Sequence, residues 1–527
     1  MKAIKIIAFL LTLCMLSSLL LACNSVEPPS DSETPSDTSA TDNPTEAPTE
    51  KPTAPVEESD LKHFIEITQY NGREFDELNI DIGQDSCMHV VKNTSLEEYE
   101  KFKTDLETQG FVLYTTNEIG QNKFATYITV TQIVNVMLIY YDYDETNKTD
   151  FGGKAAVDHY EVRVMEDNRY VFDLPGLEKE NVYKDSGYAS FSMISDDKLV
   201  YPGRMGYVYQ LTDGSFFIID GGITNDDLTK SSAPVLMALL EEFAPDPNNI
   251  VIAGWLMTHI HDDHMGAYYD IARNEEYLSK IKVEKLICNV PSESEIAIQD
   301  KYKWNESTQD ISTTINKNEG TTERQDQFNE ATAKIRPDQQ VKAHPGQVLY
   351  IRDLTLTIYC SQDLLLYSTI PSASTPKNFE SNPWHNSASI VSMINYQGKD
   401  MLFFADSHVY SFKYMISPIY RNLLKADVLQ VAHHGYQDTR ADLVNKYIQP
   451  DYVLWPARRG HYDGKNSDGS IYYESGKAYN GVATLNFNSV FVNDPSIVQV
   501  YHANDNCVTV KDFSTSQWSF YEWDPLP

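Results

Sequence analysis

The stretch Thr258-His259-Ile260-His261-Asp262-Asp263-His264 constrains this chain more than any other. His259, His261, Asp263 and His264 put three imidazoles and a carboxylate within six residues, directly after the continuous apolar run 251–257. A short apolar run of that kind reads as a buried strand. A loop at the end of a strand can turn such side chains toward one point. Imidazole and carboxylate together suit a borderline divalent cation such as zinc. Without a cation the same groups form a costly polar cluster beside a core. The motif therefore asks for a fold that ends a buried strand in a metal-binding loop.

The surrounding pattern is α/β. From about residue 190, strands interleave with helices. Residues 206–211 and 215–220 flank Thr212-Asp213-Gly214, a hairpin turn of the Asp-Gly kind. Residues 233–243 have helical apolar spacing, and 354–361, 389–396, 401–405, 428–431 and 451–455 read as strands. Residues 291–345 are polar and read as partly helical. Residues 61–180 read as a small α+β unit. In it, 63–69, 111–115, 123–131, 134–141 and 160–165 are strand-like. Residues 95–109 form a helix whose start, Ser95 followed by Glu98, has the capping-box pattern. His89 and His159 stand isolated and read as packing or surface residues, so this unit is taken as accessory.

The first residues read as a secretory signal: Lys2 and Lys5, then the apolar run 6–21, ending Leu20-Leu21-Ala22-Cys23. That ending resembles a bacterial lipobox, which implies lipid on Cys23, a mature chain beginning there, and an extracytoplasmic site anchored to the membrane. No other segment reaches the roughly 20 apolar residues a membrane span needs. Residues 24–60 are mostly Pro, Thr, Ser, Asp and Glu with one Lys, and bury too little apolar surface to fold. They read as a disordered, extended tether. Of six cysteines, Cys87, Cys288, Cys360 and Cys507 lie beyond Cys23, widely spaced and without a CxxC pair. That spacing suggests no dense disulfide framework. The formal net charge of -34 argues against stable nucleic-acid binding, which needs a basic footprint.

The metal motif resembles that of the metallo-β-lactamase superfamily, and later elements of that family follow in order over about residues 190–515. Asp220, in Ile218-Ile219-Asp220-Gly221-Gly222, resembles the early strand-end Asp that orients the metal loop. His385 stands shortly before Ser389-Ile390-Val391, Asp406 ends Phe403-Phe404-Ala405-Asp406, and His433-His434-Gly435 follows an apolar run. The resemblance implies a four-layer αβ/βα sandwich preceded by the small α+β domain, and two zinc ions, with manganese or iron as alternatives. It implies that His259, His261 and His385 hold one ion. Asp263, His264 and one of His433 or His434 hold the second, and Asp406 bridges. Asp263, His434 and Asp220 are then the residues expected to serve catalysis.

Within the superfamily, the run from Asn386 to Val391, the Ala405-Asp406 step and the doubled His-His-Gly look like the extracellular metallo-hydrolase domain of competence-type DNA-uptake channels. They also resemble surface choline-phosphate esterases acting on teichoic acids. The membrane helices of the channels are absent, and Tyr436 stands where the competence-type proteins have Ser, which points away from DNA. The expected activity is hydrolysis of a small-molecule or cell-envelope phosphodiester by water activated between two ions. Hydrolysis of a carboxylic ester, lactone, thioester or β-lactam in the same site is one alternative; a non-catalytic metal-binding surface lipoprotein is another. His461 and Tyr436 are candidate proton donors, and Arg458 and Arg459 candidate anion contacts.

Overall fold

Alternating and continuous apolar runs sort the chain into three principal sheets. The computed structural model describes residues 67–81, 86–141, 159–177, 188–194, 205–290, 303–305, 310–312, 321–364, 386, 388–407, 409–415, 418–435, 441–457, 465, 470–471, 473–474, 477–478, 488–491, 494–502, 507–510, 513 and 520–523. The signal, Cys23 and the tether lie outside these residues, as do His385, Tyr436, Arg458, Arg459 and His461. Among the described residues no helix is long and apolar enough to cross a membrane.

The first sheet has six strands, all paired antiparallel, in the order Glu77–Asp81, Ser86–Thr94, His159–Asn168, Gln132–Tyr141, Asn122–Ile128, Val112–Ile119. Residues 67–69 carry no strand, against the expectation for 63–69. The helix Leu96–Thr108 lies on one face. It begins at Ser95, whose Oγ accepts from the Glu98 amide at 3.2 Å. The Glu98 carboxylate accepts from the Thr94 hydroxyl at 3.0 Å, closing the cap through a neighbour rather than through the Ser95 amide. Tyr99, Phe102 and Leu106, spaced three and four apart, bury that helix against Val134, Val136, Val162 and Val164.

The second sheet has nine strands, and the metal motif hangs from it. Gln339–Lys342, Lys285–Cys288, Ile250–Met257 and Phe216–Asp220 run parallel. Ile281–Val283 pairs parallel with the start of Ile250–Met257, and Gly206–Gln210, Ser190–Met193, Cys507–Val510 and Phe520–Trp523 continue the sheet antiparallel. The third sheet orders Val348–Ile351, Leu354–Cys360, Val391–Tyr396, Lys399–Phe403, Val428–Gln430, Tyr452–Trp455 and Gln499–His502. From Lys399–Phe403 onward its strands are parallel.

Tyr207, Phe217, Leu256 and Ile287 of the second sheet share one apolar core with Leu356, Ile394, Phe403, Val428 and Leu454 of the third. The other face of the second sheet is covered by the helices Ala233–Phe243, Asp262–Arg273 and Thr321–Ile335, through Leu236, Leu240, Met265, Ile271 and Ala331. The other face of the third meets Phe412, Tyr420, Leu443 and Ile448 and also Met88, Val90, Phe124, Met137 and Met165 of the first sheet.

The contact of the first sheet with the rest is polar as well as apolar. His344 is held between Asp167 of the first sheet and Asp363, at 2.7 Å on each ring nitrogen. Fully buried Arg163 donates to the Asp363 carbonyl at 2.7 Å, and Asn117 donates to the Gly346 carbonyl at 2.8 Å.

Candidate metal centre

Parallel strands expose their carboxyl ends on one edge, and ligands gather there. Here that edge joins both large sheets. Phe216–Asp220 delivers Asp220; Ile250–Met257 delivers His259 to His264; Lys399–Phe403 delivers Asp406; Val428–Gln430 delivers His433 and His434.

Asp406 lies at the centre of the cluster. Its Oδ2 faces His264 Nε2 at 3.2 Å, His433 Nε2 at 3.7 Å and His259 Nε2 at 3.9 Å. Its Oδ1 faces His434 Nε2 at 3.5 Å. His434 Nε2 lies 3.1 Å from Asp263 Oδ2, and Asp263, His264 and His434 form a second group of converging ligand atoms beside His259, His264 and Asp406. The ring of His261 stands 4.8 Å from that of His259. The structure thus brings together His259, His261, Asp263, His264, Asp406, His433 and His434; His385 falls outside the described residues.

Hydrogen bonds fix which nitrogen of each ring faces inward. Asp220 is buried and does not face the centre of the cluster itself. Its carboxylate accepts from His264 Nδ1 at 2.8 Å and from the amide and hydroxyl of Thr258 at 2.7–2.9 Å. His264 therefore presents Nε2 to Asp406. His434 Nδ1 donates to the Pro456 carbonyl at 2.7 Å, which leaves its Nε2 for Asp263 and Asp406. His433 takes the other role: Asn386 Nδ2 lies 3.2 Å from its Nε2, and its side chain stays 12% exposed where that of His434 is 2% exposed. Of the doubled histidines, His434 belongs to the inner set and His433 to the rim.

Backbone conformation makes this convergence possible. Asp220, Ala405, His433 and His434 all have φ between 44° and 55°, in the left-handed region. Each such residue costs about 1–3 kcal/mol and persists only where its surroundings hold it. Gly435 follows with φ 80°, and a Cβ there would lie 2.4 Å from the Trp455 ring. The Trp455 indole in turn donates to the His434 carbonyl at 3.0 Å. Asp262, next to Asp263, is drawn away by Arg324 at 3.0 Å, which separates the two adjacent carboxylates by role.

Several supporting residues were not foreseen. Gln430 Oε1 accepts from the amides of Phe404 and Ala405 at 2.8 and 2.6 Å, clamping the loop that carries Asp406. Ser389 Oγ accepts from the Asp406 amide at 3.3 Å. The signal for Gln430 is an amide inside an otherwise apolar strand, Val428-Leu429-Gln430-Val431. The Pro456 carbonyl and the Asn386 amide leave no such mark.

The charges are mutually dependent. Burial opposes ionisation of Asp406, yet His264, His434 and His433 hold its carboxyl well below the usual range. Burial likewise opposes ionisation of Asp263, and His434 and His264 hold it low. Burial disfavours a charged His264, but Asp406 and Asp220 push it well above its ordinary value. In the same way Asp406 and Asp263 push His434 up to about 10 against its burial. The carboxylates thus demand positive charge at their centre. Asp406 Oδ1 and His264 Nε2 are buried there without a hydrogen bond of good geometry. Orphaned inward-facing atoms of imidazoles and carboxylates, with the ring proton lost on binding, are the donor set that borderline divalent cations take. The residues present therefore fit a metal.

No family model matches the chain, and no curated protein matches it. Among solved structures, CmlA, a diiron β-hydroxylase from Streptomyces venezuelae, is similar at 12% identity with a TM-score of 0.32. That match covers 63% of this chain and 55% of CmlA, so it spans little more than half of that protein. The metallo-β-lactamase GOB-18 from Elizabethkingia meningoseptica is similar at 14% identity with a TM-score of 0.22, covering 61% of this chain and 94% of GOB-18.

Proposed function

We propose that this chain is a dinuclear metallohydrolase, a phosphodiesterase of an extracytoplasmic substrate, built on a four-layer αβ/βα sandwich of the metallo-β-lactamase type. The observation that carries the reading is Asp406, a buried carboxylate with one oxygen toward His264 and His259 and the other toward His434. A carboxylate so placed suits two cations rather than one. His259 and His261, with His385, would hold the first; Asp263, His264 and His434 the second; Asp406 would bridge. Zinc fits the nitrogen and oxygen donors, and manganese or iron share that preference. Two bound divalent ions supply an activated water and neutralise charge developing on a phosphoryl oxygen.

The chain's own residues then have distinct tasks. Asp220 and Thr258 hold the His264 ring in one orientation. Gln430 and Ser389 fix the loop of Asp406. His433, on the rim and against Asn386, is the imidazole positioned to pass a proton between solvent and the leaving oxygen. The lipobox-like Leu20-Leu21-Ala22-Cys23 and the acidic tether support a membrane-anchored setting outside the cytoplasm.

The test is a substrate panel with the full chain loaded with two equivalents of zinc. Cleavage of bis(p-nitrophenyl) phosphate or of a phosphorylcholine ester is expected. Cleavage confined to esters, lactones, thioesters or β-lactams would overturn the phosphodiesterase reading while keeping the hydrolase. A metal content well below one equivalent in protein never exposed to chelator would overturn both.

A further inference from the structure

A second cluster of metal-ligating side chains lies outside this centre, in the first sheet. Cys87 and His89 are two residues apart on Ser86–Thr94, so both side chains leave the same face. Glu166 stands directly opposite Cys87 in the neighbouring strand His159–Asn168. Register thus brings three different donors to one spot. Cys87 Sγ lies 3.4 Å from His89 Nε2 and 3.8 Å from Glu166 Oε1, and His89 Nε2 lies 2.7 Å from the same Oε1. All three residues are buried: Cys87 is 4% exposed, His89 1% and Glu166 0%.

The surroundings hold this trio rather than dissolve it. Gln132 Nε2 donates to Glu166 Oε2 at 2.9 Å and the Ile67 amide donates to both carboxylate oxygens at 3.4 Å, while Oε1 also faces Cys87 and His89. The Phe75 ring lies against His89 with centroids 4.3 Å apart. His89 Nδ1 is buried without a hydrogen-bond partner, so hydrogen bonding alone leaves this ring incompletely satisfied. Val91, Val134, Val136 and Val164 continue the same face as apolar neighbours. The Asp406 centre has a similar spacing, with His264 Nε2 3.2 Å from Asp406 and His434 Nε2 3.1 Å from Asp263.

We propose that Cys87, His89 and Glu166 form a third metal site, for one zinc-like divalent cation, independent of the dinuclear centre. Thiolate, imidazole and carboxylate are the zinc donor types, and three protein ligands leave one position for water. A divalent cation with one thiolate and one carboxylate is electrically neutral, which suits a core. On binding, sulfur gives up its proton to solvent and bonds the cation; no electron is transferred. The site cross-links two strands through ligands 79 residues apart in sequence. It does not rest on the hydrolase reading.

The sulfur separates the two centres experimentally, because the residues of the Asp406 cluster carry none. Cobalt(II) added to the metal-stripped full chain should produce a thiolate-to-cobalt charge-transfer band, complete within three equivalents in the wild type and within one in D406N. The band should vanish in C87S and persist in D406N, where the dinuclear centre is disabled. Zinc-loaded wild type should hold one more equivalent than C87S. Should C87S fail to fold, zinc-edge X-ray absorption of D406N gives the same answer: one sulfur neighbour is expected. No charge-transfer band in the wild type, a band that survives in C87S, or zinc in D406N without a sulfur neighbour would each overturn the proposal.

Discussion

Two buried clusters of metal-suited side chains, one around Asp406 and one around Glu166, stand on opposite kinds of backbone. Around Asp406, four non-glycine residues, Asp220, Ala405, His433 and His434, sit at positive φ, each at or just past the end of a strand. Around Glu166, the three residues lie within regular antiparallel strands in register. A regular strand can gather only what alternation and pairing place on one face, so it assembles few donors. Loops at strand ends can aim residues from four strands at one point, but only at the cost of local strain. The strained cluster is the one that reaches the rim, through Asp263 and His433; the regular one is buried. The difference assigns reactivity to the first and cohesion to the second.

The largest effect that would sharpen this contrast is expected from D406N. Losing the central carboxylate charge should cut kcat/KM by on the order of 10³-fold, the upper scale of losing one principal electrostatic stabiliser. Thermal stability of the metal-free chain should fall as well, because the variant leaves the buried His264 and His434 without the carboxylate that offsets their charge. A stable variant with near wild-type turnover would put the chemistry elsewhere.

Asp220 comes next. It touches His264 and Thr258 rather than the centre of the cluster, so D220N should cost about 10–100-fold in metal affinity or activity. Metal titration followed by activity would read it; an effect as large as that of D406N would mean that Asp220 itself is a ligand.

The contact between the first sheet and the rest should be pH-sensitive. Burial disfavours a charged His344, but Asp167 and Asp363 push it up to about 9 from an ordinary 6.5. Burial opposes ionisation of Asp167, and His344 and Lys342 lower it to about 2. A raised histidine stabilises fully below pH 6.5 and loses that contribution as pH rises through about 9. The lowered Asp167 stabilises above its ordinary 3.8 and loses its contribution as pH falls through about 2. Melting temperature should therefore be highest between those limits and fall from neutral toward alkaline pH. H344Q should flatten the alkaline fall; an unchanged slope would locate it elsewhere.

The smallest effect is expected for S95A. It removes the cap of Leu96–Thr108 at a cost of about 1 kcal/mol, with metal content unchanged. Denaturant melts and metal analysis together would show whether the first sheet is energetically separate from the centre.

Legibility followed distance along the chain. His259 to His264 could be read because their convergence needs one loop. The hairpin at Thr212-Asp213-Gly214 and the helix at Ser95 were equally local, and both appear. Asp220, Asp406 and the doubled histidines were found in order only through a resemblance, since nothing in their own neighbourhoods states what they face. The choice between His433 and His434 was not in the sequence, because it depends on the Pro456 carbonyl and the Asn386 amide. His89 stands isolated in the sequence, yet its partner Glu166 lies 77 residues away.

By itself, the sequence determined that a buried strand ends in a cluster of metal-suited side chains, within an α/β chain of strong negative charge. Only the tertiary structure decided which nitrogen of each ring faces inward, that Asp262 turns away to Arg324, and that Cys87, His89 and Glu166 meet. The physical reason is that residue type and spacing set what a side chain can bind. What it does bind is set by strand register and by hydrogen bonds from residues far along the chain, and these exist only once the sheets have packed.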